Sequence, residues 1–383
     1  MDRLSSNQLN GEILDIMQVG NDGDGDYVES KARTLRLNEV LNRKRGQEGY
    51  DENYFRMYGR IELHEWLLKD SVRNQAYRAA ILHNQSNFKD KIVLDVGCGT
   101  GILSLFAAKA GAAHVIAVDA ANIVEYARRV FKDNGFKNII SVVKGKIEEI
   151  ELPHGVEKVD IIVCDWMGNC LFAEGMLESL IFARDKWLKP NGLIFPDTAQ
   201  LYLTAITQNM HSERDLTYWN NVYGFDMSCI RRCFESKAVV EAIEEQQLMS
   251  EVFLIKSIDL YTARYQPTVN FRSFYELKMT RSGPVHALLA YFDVGFSKTP
   301  DLVSFSTSPR KSWTHWNQTV FYFKDLLPVR AGEYIKGVFG LKPNSHNKRD
   351  LEFDIYIDFE GKEKCITSNQ SYILCHAPAV EDV

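Results

Sequence analysis

The clearest hydrophobic pattern of the chain lies between Ile92 and Asp119. A short apolar run there leads into a glycine-rich turn at residues 95–101 (DVGCGTG) and then into a helix-like segment at residues 102–110. This succession predicts a strand, a tight turn and a helix. A second apolar run follows and ends in the carboxylate of Asp119. We therefore predict half of a βαβ unit, with a ligand pocket at the carboxyl ends of its strands.

The same alternation of strand-like and helix-like patterns surrounds this unit. Three apolar runs are typical of buried strands, and one longer segment has helical spacing: residues 139–143, 159–164, 192–195 and 176–187. Upstream, residues 54–84 carry apolar side chains at helical spacing, and Asp70 is placed to end one helix and cap the next. Strands that alternate with helices predict an α/β, Rossmann-like domain with a parallel, doubly wound sheet.

The pattern changes after Phe195-Pro196. Residues 199–206, 275–279 and 351–359 alternate apolar with polar positions, which predicts an antiparallel β barrel or sandwich. An aromatic-rich segment at about 208–234 contains Tyr218, Trp219, Tyr223 and Phe225, and its spacing fits a local core and an interface arm equally well. We expect a flexible polar tail at 1–49, a ligand-binding domain with N-terminal helices at 50–196, and a β-barrel domain at 197–383 that includes this arm.

Composition narrows the class of protein. The 383 residues are 45% hydrophobic, enough for two packed domains. A net charge of −6 argues against direct binding of nucleic acid and would favour basic polypeptides as partners. We see neither an apolar run of membrane-spanning length nor a secretory signal, and the seven cysteines include no C-x-x-C pair. We expect a cytoplasmic and nuclear protein with reduced thiols, no membrane association and no bound metal.

The glycine turn distinguishes between two kinds of ligand. The fingerprint of dinucleotide binding is G-x-G-x-x-G, but here Ile102 takes the position of the last glycine. Asp95 adds a negative charge where a phosphate would sit, and this charge suits a ligand that carries an ammonium group. S-adenosylmethionine has ribose hydroxyls, an amino acid end and no phosphate. We favour a methyltransferase, with a nucleotide oxidoreductase as the alternative at this point.

Two carboxylates, Asp165 and Glu174, lie on one loop after a predicted strand. The loop is otherwise largely apolar, and buried carboxylates are costly unless a cation pairs with them. A planar guanidinium suits them best because it offers several N–H donors at carboxylate spacing. The alternative is that either acid caps the following helix.

At this point the sequence resembles the protein arginine N-methyltransferases, and specifically the type I enzymes that make asymmetric dimethylarginine. The similarity covers about residues 50–380 and rests on separated motifs in the family order: Tyr54-Phe55-x-x-Tyr58, residues 95–101, residues 144–149 (KGKIEE), residues 165–174 and Thr314-His315-Trp316. Two sequence segments, residues 222–227 in the arm and residues 305–309 in the barrel, are also similar.

The resemblance implies roles for individual residues. Asp165 and Glu174 would hold the substrate guanidinium, and His315 would pair with Asp70, join the two domains and pass on the released proton. Cofactor contacts are implied for a larger set: Phe55, Tyr58, His64, Arg73, Asp95, Gly97, Gly99, Asp119, Glu148 and Met176. Within it, Arg73 would meet the methionine carboxylate, Asp119 the ribose and Glu148 the adenine amino group. His64 and Tyr58 would close over the cofactor.

The sequence also departs from the family pattern. Asp165 and Asp119 stand where these enzymes usually have Glu, and Asn169, Ala173 and Gly175 replace more usual residues of the two-carboxylate loop. We expect methylation of Arg-Gly-rich proteins, with histone tails as further candidates, and S-adenosylhomocysteine as the co-product. The alternative is a weakly active or inactive paralogue that pairs with an active methyltransferase and regulates it. A homodimer or heterodimer is expected in either case. A small-molecule methyltransferase would have no evident use for Thr314-His315-Trp316 and the barrel.

Overall fold

The computed structural model describes residues 47–207, 216–298 and 302–375. The predicted tail as far as residue 46 and the start of the predicted arm, residues 208–215, lie outside the described residues. All contacts reported below lie within residues 55–383, which form one compact unit. Within the described part of the chain, no helix has the length and apolar character needed to cross a membrane.

The described chain begins with helices that precede the first strand. They are α1 (Gln47–Tyr58), α2 (Ile61–Lys69), α3 (Ser71–Leu82) and the single turn α4 (Gln85–Phe88). Asp70 separates α2 from α3. Its backbone N–H donates to the carbonyl of Leu67 and ends α2, while its carboxylate accepts from the backbone N–H of Arg73 and begins α3. This confirms the predicted double role of Asp70.

A parallel sheet of five strands follows, in the order β3-β2-β1-β4-β5. Its elements are β1 (Ile92–Val96), α5 (Ile102–Lys109), β2 (His114–Asp119), α6 (Val124–Asp133), β3 (Ile140–Lys144), β4 (Val159–Cys164), α7 (Met176–Trp187) and β5 (Leu188–Phe195). Because β1 lies between β2 and β4, the strand order reverses at β1. Loops from the carboxyl ends of these three strands therefore meet in one crevice.

The remaining described strands are antiparallel and form two sheets. The larger sheet has the order β7-β12-β10-β6-β8 with β11 beside β10, and the smaller has the order β15-β14-β13-β9. The strands are β6 (Thr198–Ile206), β7 (Val239–Glu241), β8 (Phe253–Asp259), β9 (Phe271–Lys278), β10 (Gly283–Phe296), β11 (Val303–Ser306), β12 (Gln318–Val329), β13 (Tyr334–Pro343), β14 (Leu351–Glu360) and β15 (Cys365–Leu374). Two further helices are α8 (Ser228–Glu235) and α9 (Tyr265–Val269).

These two sheets approach a barrel without being one continuous sheet. Isolated bridges join their edges on both sides, Lys237 with Ile373 and Ser250 with Met279. Aromatic rings fill the space between the sheets, where Phe321 lies 4.8 Å from Phe353 and 5.4 Å from Tyr372, measured between ring centroids. The predicted antiparallel domain is therefore a sandwich with barrel-like seams.

Three aromatic side chains of the predicted arm are exposed, while Trp219 is half-buried. Tyr223 is 94% exposed, Phe225 69% and Tyr218 52%. The sequence left open whether they form a local core or an interface. Their exposure excludes a local core for these three, because a core would remove their rings from water.

Candidate active site

The glycine turn after β1 is held between two side chains. The backbone of Gly97 (φ 72°) and of Gly99 (φ 55°) lies in the left-handed region that favours glycine. A Cβ atom on Gly97 would lie 3.0 Å from Cε of Met176, and one on Gly99 would lie 3.0 Å from Cε1 of His64. Because neither glycine has a side chain, Met176 of α7 and His64 of α2 can both lie close to the turn.

Asp95 lies at the end of β1 and is almost completely buried, with 1% of its surface exposed. One carboxylate oxygen, Oδ2, accepts from the hydroxyl of Ser104 at 2.6 Å, while Oδ1 has no hydrogen-bond partner among the described residues. Burial raises the pKa of Asp95 to about 7. A buried carboxylate oxygen without a partner is costly, so this position favours a ligand that brings a positive charge or a donor.

Asp119 ends β2, beside the same turn. Its carboxylate accepts two backbone N–H groups, from Gly99 at 2.8 Å and from Ala121 at 2.7 Å. Burial nevertheless raises its pKa above the ordinary value. These two bonds fix the carboxylate at the strand end and leave lone pairs free for a further donor, such as a hydroxyl group.

Residues from α1 and α2 cover this crevice. A ring nitrogen of His64, Nε2, lies 2.8 Å from the carbonyl oxygen of Tyr58, and burial lowers the pKa of His64. The hydroxyl of Tyr58 donates to Oε2 of Glu174 at 2.5 Å. Tyr58 therefore connects His64 of α2, which lies beside the glycine turn, with Glu174, the second predicted carboxylate. Glu148 lies farther out, exposed, where it accepts from the hydroxyl of Ser179 at 2.6 Å.

Residues 165–174, which we call the clamp loop, connect β4 with α7. Asp165 forms an ion pair with Arg73, whose Nε lies 2.6 Å from Oδ2, and both side chains are largely buried. The hydroxyl of Tyr77 also donates to Asp165, at 3.2 Å. Although burial alone would lower it, the carboxylate of Asp165 holds the pKa of Arg73 above its usual value. Arg73 therefore remains charged.

This ion pair differs from the arrangement that the resemblance implies. The resemblance implies that Arg73 binds the carboxylate of the cofactor and that Asp165 binds the guanidinium of the substrate. In this structure the two side chains bind each other. A second nitrogen of Arg73, Nη1, donates to Oδ1 of Asn74 at 2.7 Å. The first carboxylate of the clamp loop thus already has a guanidinium partner from its own chain.

Glu174, the second carboxylate, is held by Arg349 from the loop between β13 and β14. The backbone of Glu174 has a φ of 77°, which is strained for a residue other than glycine. Its N–H donates to the carbonyl of Arg349 at 2.8 Å, and Nη1 of Arg349 donates to the carbonyl of Glu174 at 2.7 Å. The guanidinium of Arg349 also lies 5.2 Å from the centre of the Phe55 ring. Arg349 therefore joins Glu174 to Phe55.

His315 and Asp70 form the predicted contact between the helices and the antiparallel domain. Nδ1 of His315 lies 2.7 Å from Oδ2 of Asp70, and the backbone N–H of His315 donates to the same oxygen at 2.9 Å. Although burial alone would raise it, hydrogen bonds from His315 and Arg73 hold the pKa of Asp70 below its ordinary value.

Trp316, the next residue, ties this contact to the clamp loop. Its indole N–H donates to the carbonyl of Met167 at 3.0 Å, and its own carbonyl accepts from the side chain of Asn169 at 3.1 Å. Two hydrogen bonds therefore fix the clamp loop against the antiparallel domain.

Known proteins are similar to this chain in sequence and in fold. A family described as the arginine methyltransferase oligomerization subdomain matches residues 197–363, and one described as a methyltransferase domain matches residues 93–192. Protein arginine N-methyltransferase 1 of Chlamydomonas reinhardtii is 47% identical over 319 residues, which cover 83% of this chain and 92% of that protein. Protein arginine N-methyltransferase 8-B of Danio rerio is 47% identical over 309 residues, 81% of this chain and 73% of that protein.

The chain belongs to the protein arginine N-methyltransferase family. Among solved structures, the Trypanosoma brucei PRMT1 enzyme-prozyme heterotetrameric complex with AdoHcy matches with a TM-score of 0.80 and 39% identity, over 83% of this chain and 99% of that one. Protein arginine methyltransferase 10 of Arabidopsis thaliana matches with a TM-score of 0.74 and 28% identity, over 84% of this chain and 99% of that one. This methyltransferase accordingly uses S-adenosylmethionine and carries an oligomerisation subdomain.

The crevice of this methyltransferase fits that cofactor on its own chemistry. The partnerless oxygen of Asp95 suits an ammonium group, the bare turn at Gly97 and Gly99 permits close approach, and Asp119 has lone pairs to accept from ribose hydroxyls. Asp95 itself is part of strand β1, rather than of the turn as the sequence suggested.

Several residues of the methyltransferase site have no signal in the sequence. Arg349 follows Glu174 by 175 positions, and neither a motif nor local periodicity marks it. Tyr77 and Ser104 are ordinary positions of helices α3 and α5. One general rule applies to Tyr77 and Ser104: a buried carboxylate needs a hydrogen-bond donor, so hydroxyl groups are expected near it. The rule does not say which residues supply them.

Proposed function

We propose that this enzyme transfers methyl groups to the terminal guanidino nitrogens of arginine in Arg-Gly-rich proteins, with histone tails as further candidates. We propose type I products, monomethylarginine and asymmetric dimethylarginine, with release of S-adenosylhomocysteine. The observation that carries the proposal is the hydrogen bond between Tyr58 and Glu174, because it joins a clamp carboxylate to the helix that covers the cofactor crevice. A substrate guanidinium held by Glu174 would therefore lie beside the cofactor.

The carboxylates of the clamp loop supply what guanidinium chemistry needs. A guanidinium is a poor nucleophile because its charge is delocalised and its pKa is above about 12. Carboxylates on one side of the group draw the positive charge toward the nitrogens that they bind, and they aim a remaining nitrogen at the methyl group. When bound, S-adenosylmethionine supplies that methyl group in electrophilic form. Orientation and fixed charges would provide most of the rate enhancement.

Glu174 and Asp165 have unequal parts in this proposal. Glu174 has its backbone fixed by Arg349, so its carboxylate is held in place for the substrate. Asp165 is shared between Arg73 and the substrate, since each carboxylate oxygen can accept more than one donor. Phe55, His64, Gly97, Gly99, Asp119, Glu148 and Met176 would hold the cofactor. Arg73 would serve as the counter-ion of Asp165, and its guanidinium would still have N–H donors for the cofactor.

Asp70 and His315 are proposed as positioning residues. Asp70 is fully buried, and both of its oxygens accept from fixed donors, so the pair holds helices α2 and α3 against the antiparallel domain. The proton that leaves the substrate nitrogen would first pass to Glu174. Relay through His315 is the other outcome that a pH profile can detect.

The test is to incubate the full chain with methyl-labelled S-adenosylmethionine and an Arg-Gly-rich peptide, hydrolyse the product and separate the methylarginines. We expect asymmetric dimethylarginine from the wild type and a loss of at least about a hundredfold in Glu174→Gln. An Asp165→Glu variant is the matched control for the shorter first carboxylate. No product from either the wild type or this control, with cofactor still bound, would overturn the proposal and favour a regulatory paralogue.

The oligomer and the compartment are also proposals. We propose a dimer, formed with a second copy or with a related methyltransferase, because Tyr218, Tyr223 and Phe225 of the arm are exposed. The solved trypanosome complex pairs an enzyme with a prozyme, so co-purification of a second methyltransferase chain would support the heteromeric form. We propose a cytoplasmic and nuclear location, which fractionation of cells would test.

A further inference from the structure

Two tryptophans lie exposed beside the clamp loop. Trp66 of α2 is 43% exposed, and Trp313, which precedes the Thr314–Trp316 segment, is 49% exposed. Their ring centroids are 6.3 Å apart, and their planes are tilted by 56°. We call this pair the tryptophan ledge. Indole is a large, mostly apolar ring system with one N–H donor, and two adjacent exposed rings indicate a surface that another molecule covers.

Both rings of the ledge are fixed from below. The indole N–H of Trp313 donates to Oδ1 of Asn317 at 2.8 Å. The ring of Trp66 meets that of His315 at a centroid distance of 5.4 Å and an angle of 79°. His315 is held in turn by Asp70. A ligand that lies on the ledge would therefore not have to order these side chains, which reduces the entropy cost of binding.

A chain of side-chain contacts connects the ledge to the clamp loop. The ring of His315 lies 3.9 Å from that of Trp316, whose indole N–H donates to the carbonyl of Met167 in the clamp loop. Two side chains thus separate the ledge from the loop that carries Asp165. An extended peptide advances about 3.3–3.6 Å per residue, so three or four residues span about 10–14 Å, a length of the same order as this chain of contacts.

We propose that the tryptophan ledge binds the guanidinium of a second arginine in the substrate peptide; this inference rests on the proposed function. Tryptophan gives the strongest cation–π attraction, and the planar, weakly hydrated guanidinium stacks on aromatic faces better than an ammonium group. Substrates with several arginines would then bind better than substrates with one, without any change at the methylated arginine itself.

Several charges near the ledge in the sequence are paired with each other. Glu62 lies one helical turn before Trp66 and is exposed, and its carboxylate lies 3.8 Å from Nε of Arg60. Two further cations of these segments also have acidic partners: Lys69 contacts Glu65 at 2.5 Å, and Arg310 contacts Glu245 at 3.4 Å. The net charge of −6 would also draw an arginine-rich peptide toward the protein.

The test compares KM and kcat for two peptides, one with a single arginine and one with a second arginine three or four residues away. In Trp66→Ala and in Trp313→Ala we expect KM for the two-arginine peptide to rise about two- to fivefold more than KM for the single-arginine peptide. Trp66→Phe and Trp313→Phe should restore part of the effect. Phe274→Ala, which removes an exposed aromatic ring from strand β9, is the matched control.

The outcomes that would overturn the inference are equally specific. They are an equal rise in KM for both peptides, no rise for either, or no effect of changing the second arginine to glutamine in the wild type. A change of oligomeric state in the Trp66→Ala/Trp313→Ala double variant would instead make the ledge a subunit contact. Fluorescence anisotropy of the same labelled peptides, with S-adenosylhomocysteine present, separates this inference from the proposed activity. A preference for the two-arginine peptide that the double variant loses would support the ledge even if no peptide were methylated.

Discussion

Arg73 and Asp165 neutralise each other in the interior of the active site, with Nε of the guanidinium 2.6 Å from Oδ2 of the carboxylate. The pair connects helix α3 to the clamp loop, and Tyr77 supports it with a further hydrogen bond. A buried ion pair adds little net stability, but loss of one member leaves the other charge without a partner. The pair is therefore a sensitive point for both stability and catalysis.

Asp165→Asn should lower the free energy of unfolding by about 3–5 kcal/mol, because it leaves the guanidinium of Arg73 buried without its counter-charge. Denaturation by urea, with and without cofactor, measures this loss. The control is Glu65→Gln, which breaks the exposed contact between Glu65 and Lys69 and should change stability by less than about 1 kcal/mol. An Asp165→Asn variant as stable as that control would show that the charge of Arg73 has another partner.

Arg349→Ala should reduce kcat by about ten- to a hundredfold, with a smaller effect on the dissociation constant of the cofactor. The reason is that Arg349 fixes the backbone of Glu174 at a strained φ, and its loss lets the carboxylate move. Arg349→Lys should recover only part of the rate, since an ammonium cannot reproduce the planar contact with Phe55. Its exposed neighbour supplies the control, Lys348→Ala, and an equal loss in both variants would refute a specific role for Arg349.

His315→Gln should lower the free energy of unfolding by about 1–3 kcal/mol, because Asp70 loses the side-chain donor at its buried Oδ2. The shape of the pH profile of kcat should stay as in the wild type, as expected for a positioning residue. Thermal denaturation and rates between pH 6 and pH 9 test both parts. Disappearance of one limb of the profile would assign proton relay to His315 instead.

The sequence was sufficient for the parts of the fold and site that depend on local patterns. The apolar run at residues 159–164 and the helical spacing at 176–187 predicted β4 and α7 with the bounds that the structure shows. Asp70 was predicted as a cap because capping is a property of neighbouring residues. The alternation at residues 351–359 likewise predicted β14, which extends one residue farther, to Glu360.

Contacts between distant elements could not be predicted in this way. The pairing of Arg73 with Asp165 depends on how α3 lies against the end of β4, and periodicity along one element carries no information about that. The same holds for Arg349, which reaches Glu174 from a loop of the antiparallel domain. The two-sheet arrangement was also beyond the pattern, because alternation identifies strands without fixing which edges they pair with.

Asp95 should make the stability of the cofactor-free protein depend on pH. Its pKa is about 7 when folded, against an ordinary value of 3.8, so the folded chain keeps a proton that the unfolded chain releases. Between about pH 4 and pH 7 this group therefore makes the folded state less stable as the pH rises, by at most on the order of 4 kcal/mol. Asp95→Asn removes the ionisable group. The stability of this variant relative to wild type should therefore increase as the pH rises from about 4 to 7.

Urea denaturation of both proteins at pH 5, 6, 7 and 8 tests this difference. Ser104→Ala is the control, since it removes the hydroxyl donor to Asp95 but keeps the carboxyl group and hence the slope with pH. A pH-independent difference between Asp95→Asn and the wild type would show that the carboxylate is ionised throughout.

The exposed aromatic residues of the arm give the last prediction, a change of oligomeric state. Tyr223 and Phe225 are 94% and 69% exposed, and burial of such rings in a partner typically contributes about 2 kcal/mol or more at each anchor. Tyr223→Asn combined with Phe225→Ser should therefore weaken dimerisation by at least about a hundredfold. Asparagine is chosen because Tyr223 has a φ of 53°, which asparagine tolerates without disturbing the turn.

Sedimentation velocity over a range of concentrations measures the dissociation constant of the dimer. Tyr356→Ser, at an exposed tyrosine of β14, should leave it unchanged. A wild-type chain that is monomeric at micromolar concentration would refute the dimer, unless a second methyltransferase chain restores it.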